Sequence, residues 1–394
     1  MSKNEVTLRK QAIQKWLAGE RKSHIARDLG KSRNWVNYWL EHYRADDPES
    51  SLQDGSKAPK NPYRKWPEEV VQLVLTSRQL RKEGQKPGYR YSLVGAQAIH
   101  YELSQLGFQS TPPVRTIHTW LKARGAISAK PKVADHPSKP YPAPVCQAVN
   151  DLQELDLKGP FYLSGNAQKY YLCVLREAFS KRVAVIAIQD KKMETIIDFL
   201  LCAWQKLGLP KVLQMDNGLE FRGSNRYPRS PGQLLRVCLD LGVEPLFIPP
   251  HEPWRNGVIE NLNGLLERLF LRQQTFQDFA HLQACTQEVE LAINTSHRLP
   301  ALDGKTPQEF ALGADLSYPP GDYKWRKRDL RLVKGMISFI RLVRKSGRIT
   351  LCSMDKFEVG EEYAWQYVQA TVDLEAHQLH IFLSGHLLKS FDYR

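Results

Sequence analysis

The stretch Val212–Phe221 reads VLQMDNGLEF: an apolar run that stops at an acid, turns, and then presents a second acid. Asp-Asn-Gly is ordinary turn chemistry, because Asn and Gly tolerate positive φ. That accounts for a turn and leaves open why an apolar strand should end on a carboxylate. The alternative is that Asp216 is one of several acids that the fold brings together. The flanking sequence decides between the two.

From Ala148 onward the apolar pattern has the spacing of strands. Strands are expected over 152–157, 169–178 (KYYLCVLREA) and 182–188 (RVAVIAI). A helix follows over 193–207, the strand 212–215, a helix over 232–241 and a short strand over 244–248. Three strands joined by short turns, then alternating helices and strands, make a mixed sheet with helices on its faces. In the first strand, LQELDLKGPF, Asp156 also interrupts an apolar run, ahead of an expected turn at Lys158-Gly159-Pro160. Such sheets gather functional groups at the carboxyl ends of their strands. Two close carboxylates repel unless a cation lies between them. An all-oxygen donor set suits Mg²⁺, which takes one or two carboxylates and keeps its waters.

The segment 248–270, IPPHEPWRNGVIENLNGLLERLF, offers two candidates for a third acid. Glu252 stands in a loop bracketed by prolines, where its orientation is poorly fixed. Glu260 stands near the start of an expected helix from about Asn256, whose Val258, Ile259, Leu262, Leu265, Leu266 and Leu269 form a packing face. An acid among those positions points toward the core, so Glu260 is the expected partner of Asp156 and Asp216.

The two ends of the chain differ from this middle. Residues 1–145 hold 25 Lys/Arg against 13 Asp/Glu, residues 146–315 hold 18 against 20, and residues 316–394 hold 13 against 9. Basic ends around a neutral middle suggest polyanion-binding modules. Residues 1–45 give three helical segments with IARDLGKSRNWVNYWL as a short helix, a Gly turn and a helix capped by Ser32, the helix-turn-helix pattern. Arg33, Asn34 and Asn37 would face DNA there; the alternative is a small helical packing domain. Residues 46–66 read as a linker. Residues 67–127 repeat the pattern, with Arg115, Thr116, His118, Lys122 and Arg124 toward DNA or, alternatively, as a helical spacer. A Pro-rich linker spans 128–145. After the core at 146–315, residues 316–394 suggest four or five short strands forming a small basic β-barrel. There Trp325, Arg326, Lys327 and Arg328 interleave aromatic and basic groups suited to phosphate contact and stacking, against a merely solvated charge run. Arg255 and Asn256, at the entry of the glutamate helix, are further phosphate candidates.

The six cysteines are scattered singly, which suggests neither a disulfide framework nor a zinc finger. No window approaches the roughly 18 apolar residues of a membrane span, and MSKNEVTLRK lacks the apolar core of a signal peptide. A cytoplasmic, nucleoid-associated setting and no membrane partner are expected.

Asp156 in LDLKGP, Asp216 in MDNGLEF and Glu260 in PWRNGVIENLNG resemble the three acids of the retroviral-integrase superfamily. Within it, the chain most resembles bacterial insertion-sequence DDE transposases, and ALDGKTPQEF (301–310) also resembles that group's pattern. The resemblance implies a multidomain α/β chain: N-terminal helix-turn-helix units, an RNase-H-like mixed α/β catalytic core and a barrel-like tail. It further implies two Mg²⁺ ions (Mn²⁺ substituting) held by Asp156, Asp216 and Glu260. The activity implied is cleavage and joining of double-stranded DNA by a homo-oligomer. The rival is a catalytically silent DNA-binding regulator. Two departures stand out. Counting by the family's usual gap selects Glu252, with 35 residues after Asp216, whereas 43 separate Asp216 from Glu260. The insertion Arg222–Gln233 can absorb the excess, since long surface loops cost little entropy. The His/Cys zinc module of the retroviral enzymes is also missing.

Overall fold

The computed structural model describes residues 3–54, 66–84, 88–107, 110–127, 139–223, 229–331, 333–351 and 355–393. Most of the two expected linkers (55–65 and 128–138) and residues 224–228 of the insertion lie outside them. The chain divides into two compact units, Met1–Pro67 and Glu68–Arg394.

The first unit holds α1 (Lys3–Leu17), α2 (Lys22–Asp28), α3 (Arg33–His42) and α4 (Pro48–Ser51). Gly30 takes φ +61 in the turn, and the Ser32 hydroxyl accepts the Trp35 N–H to cap α3. Ala12, Ile25, Ala26 and Val36 form the small core. The expected linker starts later than its composition suggests. Leu52 is buried against Ile13 and Trp39, and Arg9 donates to the Leu52 carbonyl and pairs with Asp54. Trp39 leaves apolar surface that a three-helix packing does not cover, and residues 48–54 cover it. Arg33 and Asn34 are exposed, and Asn37 is half-buried.

The second unit opens with α5 (Glu68–Glu83), α6 (Ala96–Gln105) and α7 (Val114–Ala123), packed through Val74, Ile99, Leu103, Ile117 and Leu121. Arg115, His118, Lys122 and Arg124 are exposed and Thr116 is half-buried; Arg124 pairs with Glu68. This helical group is joined to the core. Tyr91 packs edge-on against Phe270, and the ring of buried His297 reaches the Tyr91 carbonyl at 2.8 Å.

The core begins with β1 (Leu152–Phe161), β2 (Tyr170–Glu177), β3 (Val183–Ile188), α8 (Met193–Leu207), β4 (Val212–Met215), α9 (Leu219–Arg222), α10 (Gln233–Asp240) and β5 (Glu244–Phe247). It continues with α11 (Gly257–Leu266), prolonged by a π-turn over Glu267–Leu271, then α12 (Phe279–Ser296) and α13 (Pro307–Ala311). The expected turn at Lys158-Gly159-Pro160 is instead part of β1, with a register shift against β2 between Lys158 and Phe161. Asp156 therefore stands within a strand.

Side-chain alternation along β1 and β2 divides the core. Cys173 and Leu175 face α8 and α10, while Leu172 and Val174 face α11 and α12. On β1, Leu155 belongs to the α8 side and Gln153 accepts the indole N–H of Trp204. Glu154 and Asp156 therefore point to the side of α11. Along α8, Ile196, Ile197, Phe199, Leu200, Ala203, Trp204 and Leu207 are buried, each large side chain stabilising by about 1.5–3 kcal/mol.

The C-terminal segment is β-rich, as expected: β6 (Met336–Leu342), β7 (Arg348–Thr350), β8 (Lys356–Glu358), β9 (Tyr367–Asp373), β10 (Gln378–Leu383) and β11 (His386–Asp392). Its grouping differs from a free-standing barrel. β6 pairs in parallel with β5, giving one nine-stranded sheet in the order β11-β10-β9-β6-β5-β4-β1-β2-β3. The β7–β8 hairpin adds Ile349 and Phe357 to the same hydrophobic core as Phe247 and Trp204. The physical reason is the open edge of β5, which a strand must cover.

Candidate functional site

Asp156, Asp216 and Glu260 line one open cleft of about 340 Å³, together with Ile248, Pro253, Asn256, Ile259 and Asn263. Asp156 comes from the middle of β1, Asp216 from the residue after β4, and Glu260 from the first turn of α11. Asp156 accepts a hydrogen bond from Asn263 Nδ2. Asp216 accepts the Gly218 N–H at 2.8 Å. Burial, with the charge of Asp156 adding to it, pushes the Asp216 carboxyl above its ordinary range, against the pull of that N–H.

The Asp-Asn-Gly turn is built differently from its sequence reading. Gly218 has φ −55, so it is not there for a left-handed conformation. A Cβ at this position would stand 3.0 Å from the Asp216 Oδ1 and 2.9 Å from the Glu220 carboxyl. The glycine makes room for the acid. Asn217 donates to the Ile248 carbonyl at 2.6 Å. Glu220 is paired with Lys191.

Glu252 is occupied elsewhere. The Tyr367 hydroxyl donates to it, 2.8 and 2.7 Å from its two oxygens, and Arg255 pairs with it at 3.1 Å. Arg255 also lies over Tyr141, 4.1 Å from the ring centre, and over Tyr367 at 4.8 Å. This corrects the expectation that Arg255 faces phosphate: its charge is committed inward. Asn256 is likewise only 4 % exposed and accepts a hydrogen bond from Gln214. Trp325 is buried and donates to Asp198, so it offers no stacking face. Arg326 and Arg328 are exposed but paired with Asp198 and Asp240, while Lys327 is exposed.

Sequence reading passes over the groups that hold the cleft. Glu154 is 3 % exposed, and its carboxylate accepts the Ile259 N–H at 2.7 Å, inside the first turn of α11. Opposite it across β1 and β2, Arg176 donates to the Val258 carbonyl. Burial pushes the Glu154 carboxyl up to about 7, with the Ile259 bond and Arg176 opposing. The sequence carries a signal for it: acids two apart on a strand share a face, so Glu154 and Asp156 address the same helix.

The donor set can be tested against a divalent cation. The cleft presents the three carboxylates, and the buried Asn263 Oδ1 has no hydrogen-bond partner. Among the described residues no three His, Cys, Asp or Glu side chains make a group that could hold a metal ion by themselves. Mg²⁺ does not ask for one, since it takes one or two carboxylates and fills its octahedron with water and phosphate oxygen. A pair of these carboxylates with water and phosphate oxygen would make up such a shell. No helix among the described residues is long and apolar enough to cross a membrane.

The profile of the Integrase core domain matches residues 147–253, and a second Integrase core domain profile matches 241–307. A Winged helix-turn helix profile matches residues 9–72. Among solved structures, the chain is similar to the HTLV-2 integrase catalytic core domain in complex with magnesium. The identity is 19% and the TM-score 0.33, over 41% of this chain and 97% of that one. The BIV integrase catalytic core domain is 20% identical with a TM-score of 0.31, over 41% and 94%. The simian T-cell lymphotropic virus intasome, in complex with PP2A regulatory subunit B56 gamma, is 16% identical with a TM-score of 0.36, over 69% and 84%. The two Integrase core domain matches together cover Asp156, Asp216 and Glu260, and the helix-turn-helix match lies ahead of them in the chain.

Proposed function

We propose that the protein is a DDE transposase that cleaves the 3′ ends of a mobile DNA element and joins them to target DNA. The observation that carries this reading is the cleft itself: three acids, far apart in sequence, on a strand, a strand end and a helix, lining one cavity. Asp156, Asp216 and Glu260 would hold two Mg²⁺ ions, or Mn²⁺ in their place. Bound there, the metal would supply Lewis acidity at a phosphodiester. Asn263 holds Asp156 and the Gly218 N–H holds Asp216, while Glu260, expected to point toward the core, stands exposed on the first turn of α11 at the mouth of the cleft. None of the described residues lining the cleft carries a hydroxyl or thiol. On this reading the attacking group would be water during cleavage and a DNA 3′-hydroxyl during joining. Arg33 and Asn34 at the start of α3, and Arg115, His118 and Lys122 on α7, are the proposed DNA contacts. Phosphate contacts would set affinity and base-edge contacts preference. Joining two ends implies a homo-oligomer on DNA.

The test uses DNA that flanks this gene, with Mg²⁺ or Mn²⁺, and compares wild type, Glu260→Gln and Glu252→Gln. The expected result is a loss on the order of a thousandfold for Glu260→Gln in both cleavage and joining, and a loss of no more than a few-fold for Glu252→Gln. A dead Glu252→Gln beside an active Glu260→Gln reverses the assignment. No cleavage by wild type on any end leaves the silent DNA-binding regulator as the better reading.

A further inference from the structure

The segment between β5 and α11 supplies the cleft with Ile248, Pro253 and Asn256, and both of its ends are held from the C-terminal strands. At one end stands Arg341 of β6, only 3 % exposed. Its Nη1 donates to the Ile248 carbonyl at 3.2 Å, and its Nη2 donates to Asn217 Oδ1 at 2.7 Å. The remaining donors reach the carbonyls of Ile340, Thr350 and Leu351. At the other end, Tyr367 of β9 donates to Glu252 and lies beneath Arg255.

Guanidinium geometry explains the choice of residue. Arginine carries five donors in a rigid planar fork, where lysine has a single rotating ammonium. Only such a fork spans a strand carbonyl, a hairpin carbonyl and a side-chain amide at once. A buried cation with its donors aimed at carbonyls locks those carbonyls in turn. The residue gripped by Nη2, Asn217, directly follows Asp216.

We propose that Arg341 and Tyr367 are positioning residues of the acid cleft, so that the C-terminal strands form part of the catalytic unit. Resting on the transposase reading for its consequence, the clamp fixes the Asp216–Gly218 turn and the entry to α11. Arg341 touches no reacting atom; it acts through Asn217 and Ile248.

The experiment compares full-length wild type, Arg341→Gln and Tyr367→Phe by amide hydrogen exchange without metal, by Mn²⁺ titration and by single-turnover cleavage. For Arg341→Gln, exchange is expected to accelerate at least tenfold at 217–218 and 248–256 and to stay unchanged in β2 and β3. Mn²⁺ affinity and cleavage rate should fall about tenfold, with metal-free DNA affinity intact. Tyr367→Phe should accelerate exchange only around 252–255, with a two- to fivefold loss of rate. A folded Arg341→Gln with unchanged exchange in 217–218 and 248–256 overturns the proposal, as does Mn²⁺ affinity within twofold of wild type. If Arg341→Gln does not fold, Arg341→Lys decides, since its single ammonium keeps the charge and cannot reach Asn217 and the Ile248 carbonyl with a planar fork: unchanged exchange at 217–218 and Ile248 overturns the clamp. Wild type that binds no Mn²⁺ sinks the transposase reading, while the exchange comparison still decides the clamp.

Discussion

The two basic ends of this chain read alike in sequence and are built differently. Met1–Pro67 is a compact unit with its own small core of Ala12, Ile25, Ala26 and Val36. The C-terminal segment shares the central sheet: β6 lies against β5, and Val368, Ala370 and Ile381 belong to the same core as Leu213 and Trp204. Even its leading stretch is tied in, with the Ser317 carbonyl accepting the Leu209 N–H and the Pro319 carbonyl accepting from Gln205. Charge and proline content therefore say little about independence. A segment is a separate module when it closes its own core, and a strand that covers another strand's edge does not.

The strongest way to break this comparison is truncation. Removing residues 316–394 should abolish cooperative unfolding of the remainder, because β5 loses its neighbour and one continuous core is opened. Removing residues 1–66 should leave the midpoint of the second unit within a few degrees. Calorimetry on both fragments checks this; a cooperative, cleavage-competent 1–315 would restore the idea of a detachable tail.

Next in size is Glu154→Ala. It strands the Ile259 N–H and leaves Arg176 without its cross-strand acid, at a cost of about 3 kcal/mol. Glu154→Gln, whose amide oxygen still accepts, should cost about 1 kcal/mol. Urea midpoints read the difference, and cleavage should fall with the same ranking.

The docking of α5–α7 onto the core is expected to be acid-sensitive. Burial pushes the His297 ring down to about 4, below its unfolded value near 6.5, so the unfolded chain binds the proton more readily. Stability is then intact above pH 6.5 and lost as pH falls toward 4, by on the order of 3 kcal/mol. Melting of wild type and His297→Gln across that range should converge at low pH.

Smaller effects come from Gly218→Ala, which presses a Cβ on the Asp216 carboxylate. It should slow cleavage about tenfold while costing about 1 kcal/mol of stability. Arg33→Ala, at an exposed position in the first unit, should change stability by less than about 0.5 kcal/mol. It should weaken DNA binding and reduce the salt slope by about 1. An unchanged slope would remove Arg33 from the phosphate contacts.

Much of the core is legible because local pattern and tertiary burial agree. The apolar face of Met193–Leu207 predicts a helix with the bounds that α8 has, and VLQM predicts β4. What escapes is non-local. Nothing in MISFIRLV says that its partner is β5, some ninety positions earlier. Arg341 reads as one more basic residue in a basic tail, and Glu154 as a polar interruption beside a more conspicuous Asp156. Arg255 misleads for the same reason, since a helix entry favours anions only where its charge is not already taken by Glu252.

The two hydrogen bonds between β1 and α11 have a consequence for how such a chain tolerates change. Glu154 meets Ile259 and Asp156 meets Asn263: two steps along the strand match four along the helix. Two strand residues rise about 6.6 Å and four helical residues about 6 Å, so strand and helix act as two scales engraved to nearly the same division. Glu260 is thereby read off β1, not off its distance in sequence from Asp216. Insertions before α11 can accumulate without moving the glutamate, whereas one residue added inside β1 or the first turns of α11 would put the scales out of step.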